Sequence, residues 1–583
     1  MPTSVEAGKR LVRAAALADL RETGCLPVQI EGHTVALFFH DANVFAVDNR
    51  CPHMGFPLHR GTTEDGVLTC HWHHARFDLS SGGTFDPWAD DVRTYPVEIR
   101  GGEVWVDVAP QGEPLVHLRR RLRDGLERNI PLVVAKAVIG LLDARVDARE
   151  PFRIGIEFGT RYRKAGWGQG LTIHACMMNL LPRLESEQRQ LALYHGLSAV
   201  GRDSADAPPR FPVHPLTDST ADLTTLKRWF RRFVDVRDSD GAERCLVSAV
   251  RGGATDRQMA DMLFSAATDH RYIDGGHVLD FTNKALEALS TAGWDMAEPT
   301  LASLATTYAS ADRMEESIEW RHPIDLVAIL ERAFDRLPDA IQEGRQRRSW
   351  PGRTNLTPIL LGDNPHDIAE SLLDAFRQGA HPSDLAGLVA YAAALRIAQF
   401  HISNEFSDWD TALHTFTFAN AVHHAVEQSE GSDPVRGIFD AAMSVYLERY
   451  LNMPATLLPD SDASAAKPDE LLNDLPRMFD RRHQVDEAGA LVSHYLACGG
   501  RPGALLAELG SLLLREDRDF HTIQMVEAGF RQYSVLGDTP DGRHVLIAVA
   551  RYLAAHAPTM RAQRQTFTIA RRLSRGERLD EEA

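Results

Sequence analysis

The chain has 583 residues, with 81 acidic against 63 basic side chains and a formal net charge of −18. That acidity argues against nucleic acid as a partner. The length calls for more than one domain, and without a run of 18 apolar residues no membrane-spanning helix and no membrane partner are predicted. Residues 1–10 read as a flexible N-terminus without the layout of a signal peptide. Cys25, Cys176, Cys245 and Cys498 are scattered and read as reduced core thiols, which predicts a cytoplasmic protein.

In chain order, the first hundred residues are strand-like. "HTVALFFHDANVFAVD", "GVLTCHWH", "YPVEIR" and "EVWVDV" are short apolar or alternating runs separated by Asp-Ala-Asn and Gly-Gly turns. Between them lies "CPHMGFPLHRGTTEDGVLTCHWHHARFD", Cys51 to Asp78, with Cys51 and His53 as C-x-H and Cys70 and His73 as C-x-x-H. Two thiolates and two imidazoles suit a binuclear iron–sulfur centre in which one iron takes the sulfurs and the other the nitrogens. A structural Cys2His2 zinc site is the rival. Gly55, Pro57 and "SSGG" at 80–83 favour tight ligand loops over helices.

With "VFAVDNRCPHMG" leading into the first pair and "RFDLSSGGTFDPWADDVRTYPVEIRGGEVWVDV" after the second, residues 10–110 resemble the Rieske [2Fe–2S] family. The resemblance implies a [2Fe–2S] cluster with Cys51 and Cys70 on one iron and His53 and His73 on the other. His59, His71 and His74 fall outside that set, and His71 and His74 are candidates for an electron exit. Rieske proteins of respiratory complexes brace the cluster with a further disulfide. Phe56 and Trp72 stand at those positions here, so the likeness is to the ferredoxin-like domains that feed oxygenases. Such clusters lie at the low end of the Rieske range, roughly −150 mV. They pass one electron at a time from an external reductase or ferredoxin.

"APQGEP" (109–114) reads as a linker. Beyond it apolar residues recur at threes and fours to the end, as in "LPRLESEQRQLALYHGLSAV" and "DLAGLVAYAAALRIAQFH". The expected architecture is multidomain: a small all-β domain over 1–110, then an all-α domain over 111–583 built from duplicated helical repeats. "RGGATDRQMAD" (251–261) aligns without gaps to "RQGAHPSDLAG" (377–387). After each block a helix is predicted to end in histidine, His270 and His401. A second helix is predicted to open on histidine, His277 and His414, with H-x-x-x-F-x-N carrying Phe281 and Asn283, and Phe418 and Asn420. Weaker copies surround His521 and His174.

A lone histidine on a helix is usually a cap, a surface residue or a satisfied core residue. Matched histidines in two copies give a second reading, in which His270, His277, His401 and His414 converge on one transition metal, a second non-heme iron. Asn283 and Asn420 would then orient ligands, against the alternative that repeats merely duplicate caps. Lys284, opposite Ala421 in the other copy, reads as a snorkelling surface lysine. His424 lies on the flank of the His414 face, and His195 and His322 are secondary candidates. The stretch "NEFSDWD" (404–410) reads as a solvated acidic turn, with a carboxylate for the metal as its alternative role.

The H-x-x-x-F-x-N helices and the "LLDAFRQGAHPSDL" hairpin also resemble the questin-oxidase-like family of histidine-rich helical oxygenases, whose members oxidise polycyclic aromatic rings. The D-x-x-H-x-x-x-x-H iron motif of ring-hydroxylating Rieske oxygenases is missing. Two functions follow. In one, the cluster feeds a histidine-bound iron acting on a small organic substrate, with an aromatic one among the candidates. In the other, the helices are a protein-interaction scaffold bearing an electron-transfer or redox-sensing module. The substrate, the electron donor, the oligomeric state and the catalytic residues are open at this level.

Overall fold

The computed structural model describes residues 3–6, 9–109, 114–162, 166–217, 219–347, 350–460 and 466–579. The chain divides into two compact units, residues 1–151 with 563–583, and residues 152–562.

Among its described residues the first unit contains eleven strands: β1 Thr3–Glu6, β2 Lys9–Ala16, β3 Cys25–Ile30, β4 His33–His40, β5 Asn43–Asp48, β6 Thr62–Glu64, β7 Val67–Thr69, β8 Arg76–Asp78, β9 Thr94–Tyr95, β10 Val97–Arg100 and β11 Glu103–Asp107. They form antiparallel sheets ordered β1-β2-β11-β10, β3-β4-β5-β9 and β6-β7-β8. The N-terminus expected to be flexible thus contains a strand, with Thr3–Glu6 pairing against Val12 to Lys9. The β3–β4 hairpin turns on Glu31 and Gly32, both at positive φ (47° and 85°), as a two-residue turn matching strand twist requires. One apolar core gathers Val35, Leu37, Tyr95 and Val104. A second gathers Phe38, Val47, Leu68 and Phe77 around Cys51 and Cys70.

Residues 110–113 of the expected linker lie outside the described residues. The helices Pro114–Glu127 and Pro131–Asp143 beyond it belong to the first unit rather than to the helical one, as does the chain from Gln563 onward. The reason is electrostatic as well as apolar. Arg121 and Lys136, one from each helix, reach Asp90 at 2.7 and 3.1 Å, and Arg571 pairs with Asp143 at 3.2 Å. Short-range patterning marks where strands give way to helices, but it does not mark which helices close over which core.

The second unit is helical. Four of its helices pack in a ring: Gln169–Leu180, His277–Ala292, Phe406–Gln428 and Phe520–Leu536. Helices begin where the side chains dictate. Thr255 and Gln258 form a capping box ahead of Asp256–Ala267, and Asp519 caps Phe520–Leu536 by accepting from the backbone N–H of Thr522 at 2.8 Å. Before His277 the chain runs through Asp274, Gly275 and Gly276 at φ 54°, 58° and 95°. Gly276 is required twice over. A Cβ there would sit in left-handed backbone and 2.8 Å from Phe418 Cβ, so glycine lets this turn close onto the neighbouring helix. Among the described residues no helix is long and apolar enough to cross a membrane.

Candidate functional sites

The Cys51 and Cys70 loops are built alike. Arg50 bridges Pro57 around the first, and Thr69 pairs with Arg76 around the second. Inside each, the cysteine N–H bonds the carbonyl five residues on, Cys51 to Phe56 and Cys70 to Ala75, both at 2.8 Å. The N–H four residues on returns to the cysteine carbonyl, from Gly55 at 2.8 Å and from His74 at 3.0 Å. Gly55 and His74 therefore occupy equivalent left-handed positions, at φ 89° and 62°. The fold folds each sulfur inward, with backbone N–H groups of His53 and Met54 on Cys51 and of Trp72 and His73 on Cys70.

Both thiols are buried, and the imidazoles of His53 and His73 lie outside them, ring centres 5.0 Å apart. Burial, with the fields of His73 and Lys136, pushes the His53 imidazole down to about 4, so it is neutral and free to ligate. Its Nδ1 is buried with no hydrogen-bond partner among the described residues. Such an atom costs free energy unless something binds it, and this fits a metal group between the loops. Phe56 and Trp72 face each other at 6.3 Å, one from each loop. Lys136 binds the carbonyls of Pro52 and of His53, the latter at 3.3 Å, which fixes the first loop from outside. The other loop histidines stand apart: His59 bonds Asn49 at 3.0 Å, His71 meets Thr62 at 3.3 Å, and His74 is exposed.

In the helical unit His277 and His414 do meet, with ring centres 4.7 Å apart. The third member is His521. Its Nε2 lies 2.9 Å from Nε2 of His414, and one ligand atom from each of the three lies within 4.8 Å of the others. Two nitrogens about 2.1 Å from one ion at near a right angle lie roughly 3 Å apart, so this pair has the spacing of a chelate. His277 is pushed down to about 4, by burial and then His521. His414 is pushed down to about 3, by burial and then His277 and His521. Both are neutral donors. Behind His521 stands Asp410, its Oδ2 3.6 Å from Nδ1 and its Oδ1 accepting from Tyr552 at 2.6 Å. A carboxylate there holds the ring orientation a ligand needs. Phe281 and Phe520 pack against the His277 ring at 5.3 and 5.8 Å.

Several expected placements differ. His270 and His401 each lie three residues past a helix end, at Ala267 and Ala398, yet neither joins the trio. His270 bonds Glu315 at 2.8 Å and His401 bonds Ser403 at 2.7 Å. His401 satisfies its ring within its own turn, and His270 does so on a carboxylate 45 residues on. His414 does not open a helix; its helix starts at Phe406, capped by Glu405. Asn283 bonds Glu287 at 3.0 Å and Asn420 accepts from Gln532 at 2.8 Å, so neither orients a histidine. His322 precedes a cis proline in a short connection, and His195 is buried within Ser186–Asp203. His174 bonds the Phe152 carbonyl at 3.0 Å and is wedged between Gly155 and Gly196.

Lys284 is the largest departure. It is 1 % exposed, between Glu527 at 2.5 Å and Glu287 at 3.0 Å. Asn179 bonds the same two carboxylates at 2.9 and 2.7 Å, and His424 lies 3.1 Å from Glu287. A buried ammonium needs such partners. Glu287 lies one turn on in the same helix, whereas Glu527, Asn179 and His424 come from helices far apart in sequence, so burial is not legible from the Lys284 helix alone. In the "NEFSDWD" segment, expected as a solvated turn, Phe406–Asp410 begin a helix, and Asp410 lies half-buried beside His521.

The Rieske [2Fe-2S] domain family model matches residues 10–96. The ferredoxin component of the naphthalene 1,2-dioxygenase system of Pseudomonas putida is 32% identical over 99 residues, 17% of this chain and 95% of the relative. The ferredoxin component of the p-cumate 2,3-dioxygenase system of Pseudomonas putida is 34% identical over 101 residues, 17% of this chain and 86% of the relative. Among solved structures, the Sphingomonas yanoikuyae B1 ferredoxin is 28% identical, covering 16% of this chain and 96% of that one, with a TM-score of 0.16. On the family model and the near-complete coverage of these ferredoxin components, the chain belongs to the Rieske [2Fe-2S] family.

Proposed function

We propose that this is a two-centre redox enzyme. Cys51, His53, Cys70 and His73 hold the [2Fe–2S] cluster, which takes single electrons from an external reductase or ferredoxin. His277, His414 and His521 hold a second, non-heme iron, and the helical unit uses the delivered electrons to oxidise a small organic substrate. The observation that carries the reading is the convergence of three imidazoles, two of them held neutral, on helices 107 or more residues apart. A first-row metal on three imidazoles supplies Lewis-acid and one-electron chemistry. The chain supplies the rest: Asp410 orients His521, Phe281 and Phe520 present an apolar wall for an aromatic substrate, and burial keeps His277 and His414 deprotonated. The relatives' roles as ferredoxin components of dioxygenase systems support the electron-transfer half. The matched His277 and His414 helices, with His521 as a third, support an origin by repetition of a helical unit, and a cytoplasmic site suits the reduced thiols.

Iron analysis of protein purified under reducing conditions tests this. Three irons per chain are expected, falling to two in His414→Ala with the Rieske spectrum retained. Two irons per chain in the unaltered protein would overturn the second centre and leave an electron-transfer domain on a helical scaffold.

A further inference from the structure

Beneath the three histidines lies a layer that the proposed reaction does not use. Asp280 follows His277 by three residues on one helix, and Gln524 follows His521 by three on another. Residues so spaced share a helix face. Gln524 donates from Nε2 to Oδ2 of Asp280, so the two helices that carry His277 and His521 are joined again one turn further on. Asp280 is 2 % exposed. It makes no ion pair among the described residues, because Lys284 is already held by Glu287 and Glu527.

A buried carboxylate without a cation is costly, whereas a buried carboxylic acid with a hydrogen bond is not. The converse problem sits one turn away. Three imidazole ligands bring no negative charge to a divalent ion, and the Asp410 carboxylate answers only part of it. Each defect cures the other once Asp280 gives up its proton.

Resting on the three-histidine metal site, we propose that Asp280 is the proton-coupled counter-charge of that site: as a divalent cation binds, the Asp280 carboxylic acid releases one proton to solvent and remains as the carboxylate, and it regains that proton when the cation leaves. No oxidant or reductant enters this exchange. The groups facing Asp280 make it reversible near neutral pH. Burial pushes its carboxyl up to about 7; Lys284 pulls down, Glu527 and Glu287 push up, and the Gln524 amide pulls down. Cys176, from Gln169–Leu180, faces the same cluster as a neutral thiol held well above its ordinary value by burial. A purely structural Asp280 would keep its protonation state whatever the histidines held.

The test uses the full chain with its cluster in place and its second site emptied by chelation. Zn²⁺ is added at pH 6.5 in weakly buffered solution with a pH indicator dye. Protons shed by the imidazoles are common to the unaltered protein and D280N, so they cancel in the difference. The expected difference is close to one proton per zinc, and zinc affinity should rise about tenfold more per pH unit between pH 6 and 7 in the unaltered protein than in D280N. Equal proton release and equal slopes in the two proteins overturn the inference. Should D280N fail to fold, infrared difference spectra of the unaltered protein decide: loss of a protonated-carboxyl C=O band on zinc addition supports the inference, and an unchanged band overturns it. Failure of the metal site itself reads differently, as absence of zinc binding that His414→Ala removes.

Discussion

Nε2 of His414 and Nε2 of His521 lie 2.9 Å apart, although 107 residues separate them in the chain. Two imidazoles can share one proton at that distance, or both can turn their lone pairs to one cation. The position of His277 beside them, ring centre 4.7 Å from that of His414, favours the cation. Replacing His521 with alanine should therefore abolish binding of the second metal and stop turnover, while the reduced Rieske spectrum is unchanged. Asp410→Asn should weaken metal affinity about 10- to 100-fold, since it removes the carboxylate behind the ring rather than a ligand. Metal titration of the two variants separates these effects.

The cluster should depend on His73 as on the thiols. His73→Ser should remove the Rieske-type electron paramagnetic resonance signal of the reduced protein and take its cluster iron with it. A zinc-only protein with no such signal before mutation would refute the assignment of the Cys51 and Cys70 loops.

Lys136 ties the first loop to Asp90 and to the Pro52 and His53 carbonyls. Lys136→Met should destabilise the first unit by about 2 kcal/mol, a charged hydrogen-bonded group lost from a half-dry site. It should also shift the cluster midpoint to a more negative potential, because a positive charge near the reduced form is gone. Redox titration alongside chemical denaturation reads both.

His174 should shape stability against pH. Its imidazole is pushed down to about 4 by burial, against about 6.5 in an unfolded chain. Between those values the unfolded chain takes up a proton that the folded chain refuses. The contribution is fully present above pH 6.5 and is lost as pH falls toward 4, by up to about 3 kcal/mol. His174→Gln should flatten that part of the profile in urea unfolding followed by helical circular dichroism.

The same residue predicts two glycine effects. A Cβ at Gly155 or at Gly196 would land inside contact distance of the His174 ring. Gly196→Ala should cost roughly 1–3 kcal/mol, the range for overpacking a filled core, measured by the same unfolding curves.

The strands, the two cysteine loops and their four candidate ligands were legible in the sequence because they are local. Alternation of period two, turn residues and C-x-H and C-x-x-H spacing all act within a few residues, and each loop closes on itself by backbone bonds. His277 and His414 were legible as a pair because their surroundings repeat. What only the tertiary structure decided is which distant side chains meet. His521 completes the trio in place of His270 and His401, and Lys284 is buried in place of being solvated, because helices centred far apart in the chain bring Glu527 and Asn179 to the Lys284 and Glu287 pair of one helix. A helix pattern fixes which face turns inward. It carries no information on which other faces will meet it, and metal coordination and charge burial are both properties of that meeting.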